Sequence, residues 1–384
     1  MTPRRLPIIG MACASHLGEN LGGLPASYDP ATDYTPPSIT LASTGLELPY
    51  YTIDHDLDDE NRLFTILFEV VERALERSGL SPQERLHTGV FIGSSSYDLR
   101  QSEIVYQRQL AAGDPDALPM TYTGYNRLGA ALCERFRIGG EPFNLNTACT
   151  SSANALLLAH SMLQQGKYRH ALVIGIELYN ETTITGFSGL QLIAERRIAP
   201  FDTQRDGILL GESCSALVLS SQLDTPPATG LYVHGGGSSF DPYSITTSNP
   251  DGSTIAQALD RAMQYAGIER RQILAIKTHG TGTRMNDASE SRGIVSVFGA
   301  DAPQITALKP YVGHTLGACG ALELILLGQA LREGWLPGTL NLEQPDPELE
   351  LIPIADNREA QSGFYLLNFF GFGGSNTVVV LEKA

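Results

Sequence analysis

Apolar positions along the 384-residue chain switch between two spacings, and each switch marks an element. In "ENRLFTILFEVVERALERSGL" the residues Leu63, Ile66, Leu67, Val70, Val71, Ala74 and Leu75 fall on one stripe, which predicts an amphipathic helix. "LPIIGMA", "HTGVFIGSS", "HALVIGIELY" and "SALVLSSQL" are short, apolar and rich in β-branched residues, as buried strands tend to be. Strands of this kind alternating with longer helices predict an α/β fold with helices packed on central sheets.

Two stretches share one design. "NTACTSSANALLLAHSMLQQG" and "YVGHTLGACGALELILLGQAL" each begin with small residues and present one reactive side chain, Cys149 or His314. Each then runs into an apolar helix that Ala, Gly and Ser let pack closely, so both helices are expected in the middle of the molecule. The pattern implies a duplicated α/β unit. Its divide is expected near "DTPPATG", residues 224 to 230, giving halves 1–225 and 226–384. The only long irregular stretch is residues 24 to 48.

Composition narrows the function. A hydrophobic content of 42% with 18% charged residues fits a globular protein. The 39 glycines suggest many tight turns and close backbone approaches, as around a polar ligand site. A formal charge of −16 argues against nucleic-acid binding, and any acidic partner must dock on a local basic patch. The five cysteines, Cys13, Cys133, Cys149, Cys214 and Cys319, are odd in number and far apart, as reduced thiols in a cytoplasmic protein would be. "MTPRRLPIIGMACASHLGENLGG" reads as a first strand rather than a signal peptide, and no apolar run approaches the ~20 residues of a membrane span.

Four motifs carry candidate chemistry. Cys149 stands at the start of a helix, where unsatisfied N–H groups and the positive end of the dipole favour a thiolate and can hold an oxyanion. A small buried cysteine, the reading given to the other four, would also fit there. His279 in "IKTHGTGTRMND" follows an apolar run and precedes Thr281 and Thr283, which could bind a polar chain; a structural turn histidine fits equally. "ALKPYVGHTLGACGALE" carries Lys309, His314 and Glu323, and a cation nearby would keep the imidazole neutral and free to donate to an oxyanion. No short spacing among the histidines and carboxylates suggests a metal site. "LLNFFGFGGSNTVVVLEKA" places Phe372 in a glycine-rich turn, as a movable wall beside a ligand or simply as part of a hairpin.

Together, Thr-Ala-Cys-Thr-Ser-Ser, His-Gly-Thr-Gly-Thr, Lys-Pro-Tyr-Val-Gly-His and Gly-Phe-Gly-Gly-Ser-Asn resemble, in order and spacing, the β-ketoacyl-acyl carrier protein synthases of the Cys-His-His kind. "PFDTQRDGILLGE" and "LNLEQPDPELEL" are also similar to family segments. The resemblance implies a thiolase-like fold, two halves in an αβαβα sandwich, and a dimer, either of identical chains or with a homologous chain-length factor. It implies that Cys149 takes an acyl group from an acyl carrier protein, and that His279 and His314 assist decarboxylation of a malonyl thioester, supported by Lys309 and Glu323. It further implies an oxyanion hole from the amides of Cys149 and Phe372, a gate at Phe372, and Thr281 and Thr283 holding the carrier's phosphopantetheine arm. No bound cofactor is expected.

The sequence also departs from the family pattern. Lys277 and Thr278 precede His279 where small or acidic residues are more usual, and Arg284 replaces a common proline. Residues 106 to 132 diverge too; the resemblance implies that this region contributes to the dimer interface and acyl tunnel, so the divergence favours a specialised polyene or other secondary-metabolite synthase over housekeeping elongation. Arg196, Arg197 and Arg205 are candidates for carrier docking. A thiolase would need a cysteine as base in the second half, and Cys319 is the only nearby one. A non-catalytic partner subunit would be expected to lack Cys149.

Overall fold

The computed structural model describes residues 5–19, 36–53, 56–114, 116, 125–222 and 226–384. The first half contributes β1 (Leu6–Ser15), β2 (Thr88–Gly93), β3 (Pro142–Leu145), β4 (His170–Glu177) and β5 (Ser213–Ser220). The second contributes β6 (Leu231–Phe240), β7 (Ile273–Lys277), β8 (Gln304–Thr306), β9 (Gly363–Gly371) and β10 (Ser375–Lys383). Neighbours run β3-β2-β4-β5-β1 in one half and β8-β7-β9-β10-β6 in the other.

These orders coincide position for position. The parallel pairs also coincide: β2 lies between β3 and β4 as β7 lies between β8 and β9. The remaining pairs are antiparallel in both halves. One topology is thus used twice, and the two copies join where Leu6 and Pro7 pair with Val233 and Tyr232. Residues 223–225, at the expected divide, lie outside the described residues, as do 24–35 of the irregular stretch and 115 and 117–124 of the divergent one. The described end of the irregular stretch forms a hairpin, Ser38–Thr40 with Glu47–Pro49.

Helices fill the layers between and outside the strands. α1 (Arg62–Ser78) buries its whole predicted stripe against Ile92, Leu172, Ile174 and Val218. Each fully buried aliphatic side chain there contributes about 1.5–3 kcal/mol. α2 (Ser151–Gln164) and α6 (Cys319–Arg332), the two small-residue helices, lie between the sheets. They share one core with Val173 and Leu217 of the first half and Leu367 and Val379 of the second. α3 (Glu181–Gly189) sits beside the site, while α4 (Ser253–Ala266) and α5 (Arg284–Phe298) cover the outer face of the second half. The result is an αβαβα stack.

The small residues set how closely the central helices approach. A Cβ on Gly320 would stand 2.4 Å from the backbone nitrogen of Ala153, so no larger residue lets α6 rest on α2. Ser152 Oγ accepts from Ala321 N at 3.1 Å across the same contact. Cys149 and His314, one at the head of each central helix, are thereby brought to one place.

Candidate active site

The turn before α2 presents Cys149. Ala148 is held at φ +52, a left-handed conformation that costs a non-glycine residue about 1–2 kcal/mol. Ser151 maintains it, donating its Oγ–H to the Ala148 carbonyl at 2.6 Å and accepting from Thr147 N at 2.9 Å. The backbone N–H groups of Cys149 and Phe372 both reach the Cys149 sulfur. Gly371 makes this approach possible, because a Cβ there would lie 3.0 Å from the Thr147 carbonyl. Burial pushes the thiol up to about 12, against the pull of Lys309 and the two N–H groups. The N–H groups do favour the thiolate, as expected at a helix start, but at 5% exposure burial is the larger effect and the net direction is upward.

Behind the cysteine, His279 and His314 meet as buried rings with centroids 5.3 Å apart. Lys309 Nζ lies 3.2 Å from His279 Nδ1, donates to the His279 carbonyl at 2.7 Å and donates to Glu323 Oε1 at 2.8 Å. An ammonium cannot accept, so Nδ1 of His279 is the acceptor and its proton sits on Nε2. His314 Nδ1 accepts from Leu316 N at 3.3 Å, leaving the proton on Nε2 there too. Burial, then the charge of Lys309, holds both imidazoles well below the ordinary histidine range. Two neutral rings thus each keep an N–H donor, and both line the cavity that Cys149 lines.

Further residues hold this arrangement, and of them the sequence reading named only Lys277, as a departure from the family pattern. Glu290 accepts from the backbone of His279 at 2.8 Å and Gly280 at 3.0 Å, and from Asn368 Nδ2 at 2.9 Å. Glu177, ending β4, accepts from the backbone of Ser95, Ser96 and Gly317 and from both serine hydroxyls, tying the first half to the turn after His314. Lys277 is wholly buried and donates to the other oxygen of Glu323 at 2.5 Å. The signal for Glu177 and Lys277 was a charged residue ending an apolar strand.

Toward solvent, Phe372 stacks on Phe187 of α3 with centroids 5.5 Å apart and planes 16° from parallel. Thr281 and Thr283 line the cavity and share a hydroxyl contact of 2.9 Å. Arg284 is exposed and lines the cavity, and Arg196 is exposed. Arg197 pairs with Glu343 at 2.5 Å. Arg205 is corrected: it is 4% exposed and its guanidinium is bound to Asp346 at 2.5 Å and the Asp202 carbonyl at 2.7 Å, so it is no docking cation. Cys319 donates its S–H to the Cys149 carbonyl at 3.0 Å, a contact that occupies the one candidate for a thiolase base.

Comparison with known proteins supplies the family. The Beta-ketoacyl synthase N-terminal domain matches residues 54–225 and the C-terminal domain residues 232–343. A Mycobacterium bovis protein named 3-oxoacyl-[acyl-carrier-protein] synthase 2 is 30% identical over 338 residues, covering 84% of this chain and 80% of the relative. Its Staphylococcus aureus namesake is 28% identical and spans 99% of this chain and 98% of its own. The ishigamide ketosynthase/chain length factor superimposes with a TM-score of 0.85 at 26% identity, over all of both chains. The ketosynthase ApeO in complex with its chain length factor ApeC, from Xenorhabdus doucetiae, gives 0.79 at 25%, over 99% of this chain and 98% of that one. No helix among the described residues is long and apolar enough to cross a membrane. With matched domains over most of its length, the chain belongs to the β-ketoacyl synthase family, enzymes of the α/β thiolase-like fold.

Proposed function

We propose that this enzyme joins a malonyl thioester to an acyl group held on Cys149, with loss of carbon dioxide, to give a β-ketoacyl-acyl carrier protein. The observation that carries the reading is one cavity holding a thiol under two backbone N–H groups and two neutral imidazoles with free Nε2–H donors. Thioester exchange needs a nucleophile and a pocket for the oxyanion, which Cys149 and the amides of Cys149 and Phe372 supply. Decarboxylation develops charge on the thioester oxygen, where His279 and His314 donate. Lys309 and Glu323 set the tautomer and charge of the pair, and Thr281 and Thr283 line the path of the carrier's phosphopantetheine arm. Phe372 gates the cysteine.

The curated relatives are named for acyl carrier protein, which supports a carrier-borne substrate for this chain as well. Two structural neighbours are ketosynthase/chain length factor pairs, and this supports a second reading in which the chain is the active member of such a heterodimer. Cys149, present here, fits the active member. The reading includes a cytoplasmic location and halves at 1–225 and 226–384. Incubation with malonyl- and acyl-carrier proteins, followed by intact-mass measurement, tests it: an acyl adduct on Cys149 and a β-ketoacyl product are expected. Turnover of acetyl-coenzyme A without malonyl substrate would favour a thiolase instead.

A further inference from the structure

Two buried lysines share one carboxylate behind the histidine pair. Lys277, at the end of β7, donates to Glu323 Oε2 at 2.5 Å and to the Asn368 carbonyl at 2.7 Å, with Nζ 3.7 Å from the centre of the Phe369 ring. Lys309 holds the other oxygen at 2.8 Å. Both ammonium groups are fully enclosed. A Lys309–Glu323 pair alone would show His279 a neutral couple; the second lysine leaves the cluster one positive charge in excess. Burial pulls Lys277 below the ordinary lysine range, while a carboxylate, a carbonyl and a ring face all favour its charged form.

That excess charge bears on the fate of the carbanion. Groups around His279 come from several elements: Lys277 on β7, Lys309 at the start of the short helix after β8 with Glu323 of α6 behind both lysines, Glu290 on α5, His314, and Cys149 at the head of α2 in the same cavity. His314 is also influenced by both lysines, with Glu177 bound to Gly317 beneath it. Decarboxylation breaks the bond between carboxylate and methylene, releasing carbon dioxide and leaving the electron pair in an enolate. In the productive step that pair bonds to the acyl carbonyl carbon and the Cys149 thiolate leaves. An imidazolium at the same place would transfer its proton to the pair, giving an acetyl thioester and a neutral ring, and the condensation would be lost.

We propose that Lys277 is a positioning residue for the condensation, leaving the Lys277–Lys309–Glu323 cluster one positive charge in excess so that both imidazoles stay neutral and the carbanion reaches the acyl thioester unprotonated. This rests on the condensation reading above. The test compares wild type with Lys277→Met and Lys277→Arg between pH 5.5 and 8, measuring the ratio of acetyl- to β-ketoacyl-carrier by intact mass. The ratio should stay flat in wild type, rise about tenfold toward pH 6 in Lys277→Met, and return with Lys277→Arg.

A second readout needs no turnover. In the full chain carrying ¹³C-histidine, the ring midpoints of His279 and His314, assigned with the alanine variants, should move up by about one pH unit in Lys277→Met. They should fall in Glu323→Gln and rise again by a similar step in the double variant, which restores the original charge. If Lys277→Met does not fold, that last step reads the same charge. Absence of β-ketoacyl product in wild type would sink the condensation reading while leaving the ring titration to judge Lys277. Midpoints and ratio unmoved by loss of Lys277, or a double variant matching Glu323→Gln, would overturn the proposal.

Discussion

The rings of His279 and His314 meet edge to face at 84°, although one follows β7 and the other precedes α6. Each has its Nδ1 engaged from behind, by Lys309 and by the Leu316 amide, so the two Nε2–H groups are the donors left for substrate. Replacing either by alanine should lower malonyl decarboxylation about 10²–10³-fold, the usual loss for one oxyanion donor. Acylation of Cys149, which relies on the backbone N–H groups, should persist. Stopped-time mass measurement of the acyl adduct alongside carbon dioxide release separates the two steps. Equal loss of both would mean that the histidines serve the nucleophile instead.

The enclosed thiol leads to a pH prediction. With the Cys149 thiol pushed up to about 12, the folded protein keeps its proton through the neutral range. Alkylation by iodoacetamide should therefore climb about tenfold per pH unit from 7 to 10, with no plateau near the ordinary cysteine value of about 8.5. Lys309 pulls the thiol down, so Lys309→Met should slow alkylation throughout this range. Peptide mass mapping confines the readout to Cys149, and a plateau between pH 8 and 9 would contradict the burial argument.

The stacked pair Phe187 and Phe372 should act as one gate. Phe372 belongs to the hairpin turn after β9 and Phe187 to α3, so the stack links the two halves across the mouth of the site. Alanine at either position removes the same contact. In a double-mutant cycle on kcat/KM for acyl transfer to Cys149, a coupling of about 0.5–1.5 kcal/mol is expected. Additive effects would mean that Phe372 moves without reference to Phe187.

What was legible in the sequence was periodic or local. The α1 stripe follows from 3.6-residue spacing, and all seven of its positions are buried. The likeness of the two small-residue helices pointed to duplication, but the matching strand orders depend on pairings between distant segments. Arg205 looked like a surface cation within a charged loop, yet its partner Asp346 stands 141 residues away. Lys277 was visible only as a departure from the family pattern, because its meaning depends on Glu323, 46 residues on, and on the Phe369 ring. Local patterns singled out Cys149, His279 and His314, which the fold brings to one cavity; the charges around them belong to the tertiary fold.

Glu290 links the site to stability through pH. Burial lifts its carboxyl from 4.5 to about 7, despite three donors that favour the charged form. Between those values the folded protein retains a proton that the unfolded chain has released, so stability falls as pH rises. The contribution is fully present below 4.5 and is lost as pH passes about 7. Over that window the group accounts for about 3 kcal/mol. Glu290→Gln cannot titrate, so its stability relative to wild type should improve by that order between pH 4.5 and 7.5, measured by urea unfolding across the range. At high pH the variant should still be the poorer catalyst, because one amide oxygen cannot accept from both the His279 and Gly280 N–H groups as the two carboxylate oxygens do. A wild-type and variant difference independent of pH would show that Glu290 is ionised throughout, and that the donors outweigh its burial.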